Sequence, residues 1–226
     1  MRPQMPDILL IDTSSEKGIV ALARNGSVAY LEENTDARNH AATINMMIDS
    51  ALQSGGITIS QLDAVAVIGG PGSYTGLRVG LATAKGICYA ADKPLIMTNK
   101  LDLLAMQGGN DGRYELVAAA LPAREKEYFF TLLSSDGEHL RAPEHVYEDD
   151  LVRTLTGAKG KLRISGLLPK TITDITTVNH IDYVENEVID PDFLAFEVNN
   201  QFICHTFVNV ATAEPFYLKQ VYTHKP

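Results

Sequence analysis

The chain has 226 residues, 45% of them apolar and 21% charged, a globular composition with length enough for two modest domains. Its net charge of −9, with 19 scattered basic residues, argues against a direct grip on a phosphate backbone, which needs clustered Lys and Arg. Two cysteines in apolar segments, Cys88 and Cys204, and the lack of a leader or an 18-residue apolar run point to a reduced, cytoplasmic chain without membrane contact.

Residues 8–11 read as a buried strand ending in Asp12-Thr13-Ser14-Ser15. Residues 18–23 and 28–33 pair as a hairpin, because the Asn25-Gly26 step between them suits a tight turn. A helix is expected from His40 to about Ser54, capped by Asn39 and closed by Gly55-Gly56, with Ile44, Met47, Ile48, Ala51 and Leu52 inward. A strand at 64–68 then enters Gly69-Gly-Pro-Gly-Ser-Tyr-Thr-Gly-Leu-Arg-Val-Gly80, the most constrained segment of the chain. Strand, glycine-rich turn and helix form the layout of many phosphate loops, but the spelling differs. Leu77-Arg78 follows Gly76 where a P-loop needs Lys-Ser or Lys-Thr, and Thr75 stands where G-x-G-x-x-G needs its third glycine. Ser73 reads as part of the helix cap.

The helix after this turn, to about Ala90, has three faces at about 100° per residue. Tyr74, Leu77, Leu81, Ala84 and Cys88 form an apolar stripe for a sheet, while Arg78 and Lys85 share a second line. Gly76, Gly80 and Ala84, beside Thr83, form a seam of small residues. Glycine inside a helix costs about 1 kcal/mol relative to alanine, so the seam needs a reason. Close backbone approach supplies one, either inside the chain or against a partner helix.

Residues 94–97 read as a further strand and 101–106 as a short helix, before a linker at Gly108-Gly-Asn-Asp-Gly-Arg113. The first half is thus a βββαβαβ unit. Beyond it, 115–121 and 127–134 read as strands around Pro122-Ala-Arg-Glu-Lys126, and 148–155 as a helix whose Glu148, Asp149 and Asp150 are its acidic first turn. Residues 162–165, 172–178 and 181–188 complete an αβ lobe. Residues 191–212 have a helical pattern with Phe193, Phe196, Phe202, Ile203 and Phe207 at core spacing. The division expected is a first lobe at 1–107 and a second at 108–226, with a tail that can return to the first. Lys159, Lys161 and Arg163 read as a solvated edge, and His139 and His145 as solvated loop residues beside Pro143.

The opening strand ending in Asp12-Thr13 resembles the superfamily of actin, sugar kinases and heat-shock chaperones. More narrowly, Ile8-Leu-Leu-Ile-Asp-Thr-Ser14, Asn39-His40-Ala41, Gly70-Pro-Gly-Ser-Tyr-Thr-Gly-Leu-Arg-Val-Gly80 and Ala82-Thr-Ala-Lys-Gly86 are similar to the TsaB (YeaZ) family. The tail Glu214-Pro-Phe-Tyr-Leu-Lys219 resembles that family's Pro-x-Tyr-Leu-Arg, with Lys219 in place of arginine. The resemblance covers residues 7–105 and the tail, and is weak between 112 and 210. It implies a two-lobed α/β fold of mixed sheets flanked by helices. It also implies a non-catalytic subunit that pairs with a TsaD-like paralogue, beside a TsaE-like ATPase, for threonylcarbamoyl transfer to the anticodon-adjacent adenosine of tRNA. ATP and metal would belong to those partners, tRNA would be met only through the complex, and self-association as a homodimer would use the same face. The implied pairing surface is the helices at 40–54 and 75–90, with His40, Met46, Met47, Thr75, Gly76, Leu77, Arg78, Gly80, Thr83 and Ala84. Many members carry His-Ser or His-Thr where this chain has His40-Ala41, which leaves the role of His40 open.

The residues themselves agree with an absence of catalysis. A superfamily phosphate loop needs an early glycine so that amides can close on phosphate, and Asp12 is followed by no glycine before Gly18. Asp12 and Thr13 are therefore only weak nucleotide-site candidates. No pair among the six histidines has the His-x-x-x-His spacing of a TsaD-like metal site, so no metal is expected. Two other readings stay open at this stage: a small-molecule kinase of the same superfamily, and a stand-alone homodimeric structural protein.

Overall fold

The computed structural model describes residues 6–36, 39–108 and 112–218. Its chain divides into two compact units, one running to Lys100 and including Asp190–Phe216, the other holding Leu101–Ile189.

In the first unit, β1 (Asp7–Asp12), β2 (Gly18–Arg24) and β3 (Ser27–Asn34) pair antiparallel, and β4 (Ala64–Gly70) and β5 (Leu95–Asn99) join in parallel on the other side of β1. The order is β3-β2-β1-β4-β5. Asn25 and Gly26 both take positive φ, 53° and 76°, the geometry of a two-residue hairpin. β4 is buried along its whole length, which is why it reads as a continuous apolar run rather than an alternating one. Helices α1 (His40–Gly55) and α2 (Tyr74–Ala91) bury one stripe each on this sheet. Leu9, Ile11, Leu22 and Val67 of the strands meet Ile44, Ile48 and Leu52 of α1 and Leu81, Ala84 and Cys88 of α2.

Following α3 (Lys100–Met106), the second unit repeats the plan with β6 (Leu116–Arg124), β7 (Glu127–Ser134), β8 (His139–Tyr147), α4 (Glu148–Gly157), β9 (Leu162–Gly166), α5 (Lys170–Val178) and β10 (Asp182–Glu185). Its sheet order is β8-β7-β6-β9-β10, with β6–β7 and β7–β8 antiparallel and β6–β9 and β9–β10 parallel. Each unit is thus the same βββαβαβ arrangement. That duplication gives two mixed sheets flanked by helices, the α/β fold expected from sequence.

Several details differ from the sequence reading. The unit boundary falls after Lys100 rather than after residue 107, and residues 190–216 join the first unit. Helix α6 (Pro191–Ile203) buries Leu194, Ala195 and Val198, and its Asp192 accepts a 2.8 Å hydrogen bond from Val28 N on β3. It stops nine residues before Thr212, because His205 turns to φ 55° and residue 208 bridges to Leu95 of β5. Phe196, Ile203 and Phe207 are consequently 52%, 63% and 37% exposed rather than core. β8 is a strand where a loop was expected: pairing with β7 outweighs Pro143, which sits at a break in register between Phe130 and Leu132. Asn39 makes no side-chain cap for α1. Residues 109–111 of the expected linker and Lys219 lie outside the described residues. Among the described residues, no helix is long and apolar enough to cross a membrane.

Candidate functional site

The glycine loop and the loop after β1 close on each other. Ser73 N donates to Ser14 O at 2.7 Å, and Ser73 Oγ accepts from Gly76 N at 3.2 Å, the cap expected from sequence. Thr13 Oγ1 donates to Gly76 O at 2.7 Å, and Ser14 N is taken by Asp12 Oδ1 at 2.8 Å. A methyl group at Gly72 would overlap the Ser14 carbonyl oxygen, and one at Gly76 the Thr13 carbonyl oxygen. These two glycines exist so that α2 can start in contact with the β1 backbone.

This geometry reverses that of a phosphate cradle, where several amide hydrogens converge on one point. Here the loop after β1 turns the carbonyl oxygens of Thr13, Ser14 and Ser15 onto its own chain, and a phosphate would meet like charge. Asp12 and Thr13 are 4% exposed, and the bonds above already occupy both side chains. Among the described residues, no group of three His, Cys, Asp or Glu side chains could hold a metal ion. The acidic turn of Glu148, Asp149 and Asp150 behaves as read: Asp150 pairs with Arg141 at 2.7 Å.

The residues expected at a partner interface separate into two groups. Gly76, Leu77, Gly80 and Ala84 are buried under α2 against the chain's own sheet, Gly80 facing Thr13, Ile11 and Val67. The small-residue seam is therefore internal packing, and these four are removed from the candidate interface. His40 leaves it too, at 5% exposed. Its Nε2 bonds to the Ser15 carbonyl at 3.0 Å, and its ring fills the space a side chain at Gly18 would need, 2.7 Å from the position of such a Cβ. Asn34 Nδ2 lies 3.4 Å from Nδ1, so Nε2 is the nitrogen that donates. The imidazole thus latches the β1–β2 loop, a role that does not depend on Ser or Thr at position 41.

Met46, Thr75 and Arg78 remain outward, Thr83 is half-buried, and Met47 packs partly on the core. Met46 is 64% exposed, and the Arg78 guanidinium stacks over Tyr74 at 4.1 Å from the ring centroid. Sequence reasoning missed Tyr89, 87% exposed one helical line from Arg78. The signal was available, since a tyrosine fell outside the stripe Leu77, Leu81, Ala84, Cys88. Tyr89 borders a hollow of about 690 Å³ with Lys85, Gly86 and Val210. Lys85, expected in the Arg78 line, is turned aside and donates to the carbonyls of Ala211 and Ala213 at 3.1 and 3.0 Å, strapping that segment along α2. Burial pushes the Cys88 thiol beneath α2 up to about 11. In the second unit, His145 is no solvated loop residue; its Nε2 lies 2.8 Å from Glu127 and its ring stands edge-on to Phe129 and Tyr147.

Comparison with known proteins adds to this picture. A family model described as TsaD, tRNA N6-adenosine threonylcarbamoyltransferase, matches residues 33–187. The chain is 38% identical over 124 residues to a tRNA threonylcarbamoyladenosine biosynthesis protein TsaB of Haemophilus influenzae, covering 55% of this chain and 52% of that one. It is 33% identical over 151 residues to the Escherichia coli protein of the same name, covering 62% and 64%. The chain therefore matches between about half and two thirds of the length of these curated relatives. A Pseudomonas aeruginosa structure, described as similar to peptidase YEAZ, superposes with a TM-score of 0.75 at 24% identity over 95% of this chain and all of that one. At that identity the likeness speaks for the fold.

Proposed function

Since this chain belongs to the TsaB (YeaZ) family, we propose that it serves threonylcarbamoyladenosine formation in tRNA as a subunit without catalytic chemistry of its own. The observation that carries this reading is the closed loop after β1. With Ser14 N, Gly76 N and Ser73 N already taken by Asp12 Oδ1, Ser73 Oγ and Ser14 O, the loop after β1 lacks the convergent free amides of a phosphate cradle. The same observation argues against the small-molecule kinase reading.

The work left to such a subunit is recognition, and the outward face of α1 and α2 suits it. Met46, Tyr74, Arg78 and Tyr89 combine an adaptable thioether, two aromatic rings and a guanidinium, the residue types enriched at protein interfaces. The occupant we propose is a TsaD-like paralogue, a chain of related fold, with a TsaE-like ATPase joining the pair. ATP and metal then belong to those partners, and tRNA is met through the assembly. A second copy of this chain would compete for the same face.

Size-exclusion chromatography of the chain, with and without the TsaD-like paralogue of the same organism, tests the pairing. A heterodimer that displaces any homodimer is expected; two independent peaks at micromolar concentration would count against it. A thermal shift with Mg-ATP on the chain alone tests the closed loop, and the midpoint is expected not to move.

A further inference from the structure

The second unit repeats the topology of the first, but a crevice that is filled in one is open in the other. β6 leads to β7 and β8 on one side of its sheet, and β9 leads through α5 to β10 on the other. The carboxyl ends of β6 and β9 therefore flank the point at which the connections part, the place where open sheets of α/β proteins hold ligands. The matching point of the first unit, between β1 and β4, is filled by the glycine loop bonded to Ser14. Between β6 and β9 lies instead a hollow of about 580 Å³, lined wholly by residues of the second unit. Small-molecule sites occupy roughly 300–1,000 Å³, so the volume suffices for one.

The fold holds the walls of this hollow in place. Gly166 ends β9 at φ 142°, so close to β6 that a Cβ would overlap the Ala120 carbonyl oxygen, and Leu167 N donates to that oxygen at 3.1 Å. Leu168 N donates to Tyr183 Oη at 3.2 Å, and Tyr183 Oη donates to Gly166 O at 3.1 Å. Leu167 and Leu168, with Pro122, form the apolar side. Tyr128, only 4% exposed, also lines the hollow, and its hydroxyl donates to Glu148 Oε2 at 3.4 Å. Glu148 N in turn donates to Lys126 O at 2.9 Å, which roots a carboxylate and an ammonium side by side. In all, the lining carries three carboxylates, of Glu125, Glu148 and Glu185, and two cations, of Arg124 and Lys126. A ligand of one sign meets its like there, whereas a ligand with both charges close together meets a partner for each. We infer that this hollow binds a free α-amino acid with an apolar side chain. Glu148, steadied by Tyr128, accepts from its ammonium, Lys126 pairs with its carboxylate, and its side chain lies against Pro122, Leu167 and Leu168. The site belongs to the second unit alone and does not rest on the pairing proposed above.

The test is a calorimetric titration of the full chain with L-phenylalanine and L-leucine. Phenethylamine and 3-phenylpropionate, which keep the ring and only one charged end, are run beside them. Saturable one-to-one binding of at least one of the two amino acids is expected, about tenfold or more tighter than either one-ended compound. Glu148→Gln should weaken the amino acid and phenethylamine by about tenfold and leave 3-phenylpropionate unchanged. Lys126→Asn should weaken the amino acid and 3-phenylpropionate and leave phenethylamine unchanged; asparagine tolerates the φ of 58° at this position. If Glu148→Gln does not fold, the ligand series on wild type and Lys126→Asn decide. Failure of both amino acids to saturate, or a one-ended compound binding as tightly as they do, would overturn the site. Undiminished amino-acid binding in Lys126→Asn or in a folded Glu148→Gln would overturn it equally, since the ligand would then lie elsewhere.

Discussion

Replacing Gly76 by alanine tests the closed loop and the internal seam at once. The added methyl would overlap the Thr13 carbonyl oxygen, a backbone atom that cannot rotate away. Either α2 lifts from β1 or the β1–β2 loop shifts, breaking the Thr13 Oγ1 bond to Gly76 O and the Ser73 N bond to Ser14 O. Overpacking at a tight site costs about 1–3 kcal/mol, and a backbone obstacle belongs at the upper end. Helix propensity returns about 1 kcal/mol. The net loss is about 2 kcal/mol, which for a chain of this size lowers Tm by roughly 4–8 °C. Gly86 lies ten residues on in the same helix with nothing within 4 Å of a would-be Cβ. Gly86→Ala should raise Tm by roughly 2–4 °C. Both variants are compared with wild type by circular-dichroism melts of the isolated chain. Gly76→Ala melting at or above wild type would refute the packing argument and return the seam to the surface.

Three further outcomes follow from the same contacts. His40→Ala should lose about 2 kcal/mol, because the Ser15 carbonyl loses its donor and the space beside Gly18 empties; urea melts measure it, and a change within error would remove the latch. Alkylation at pH 8 should label the exposed Cys204 and spare Cys88, giving one adduct by intact mass and two after denaturation; two adducts in the native state would contradict the burial. The Cys88 thiol stays protonated up to about 11 in the folded chain, whereas an unfolded thiol ionises near 9. The folded state then holds more protons between those values, so its contribution to stability is full below pH 9 and declines as pH rises toward 11. Cys88→Ala should flatten that part of the pH–stability curve.

The first half of the fold was legible because its local signals agree. Asn25-Gly26 names its turn, β4 is an unbroken apolar run, and Ser73 caps the helix that follows. The second half repeats the topology without those signals. No glycine pattern marks the β6–β7 turn, and β8 carries Pro143 and four charged or histidine positions that read as loop until β7 pairs with them. In α6 both faces are apolar, so periodicity alone could not say that Leu194 and Val198, rather than Phe196, meet the sheet. The candidate site was half legible. Gly76 correctly announced a close backbone approach, whereas Gly80 makes room for the side chains of Thr13, Ile11 and Val67, and a sequence cannot say which chain is approached. The role of His40 depended on Ser15 and Gly18, some 25 residues away, and no local pattern encodes that contact.

The central claim is that this chain acts through the outward face of α1 and α2 rather than through chemistry of its own. Sedimentation equilibrium of the chain with its TsaD-like paralogue, for wild type and for Met46→Asp with Tyr89→Asp, tests that claim most directly. Both residues are exposed, so the double variant should keep its melting temperature within about 2 °C while association weakens by at least about a hundredfold, or about 2.8 kcal/mol. Unchanged association in a folded double variant, or no association in wild type, would contradict the account.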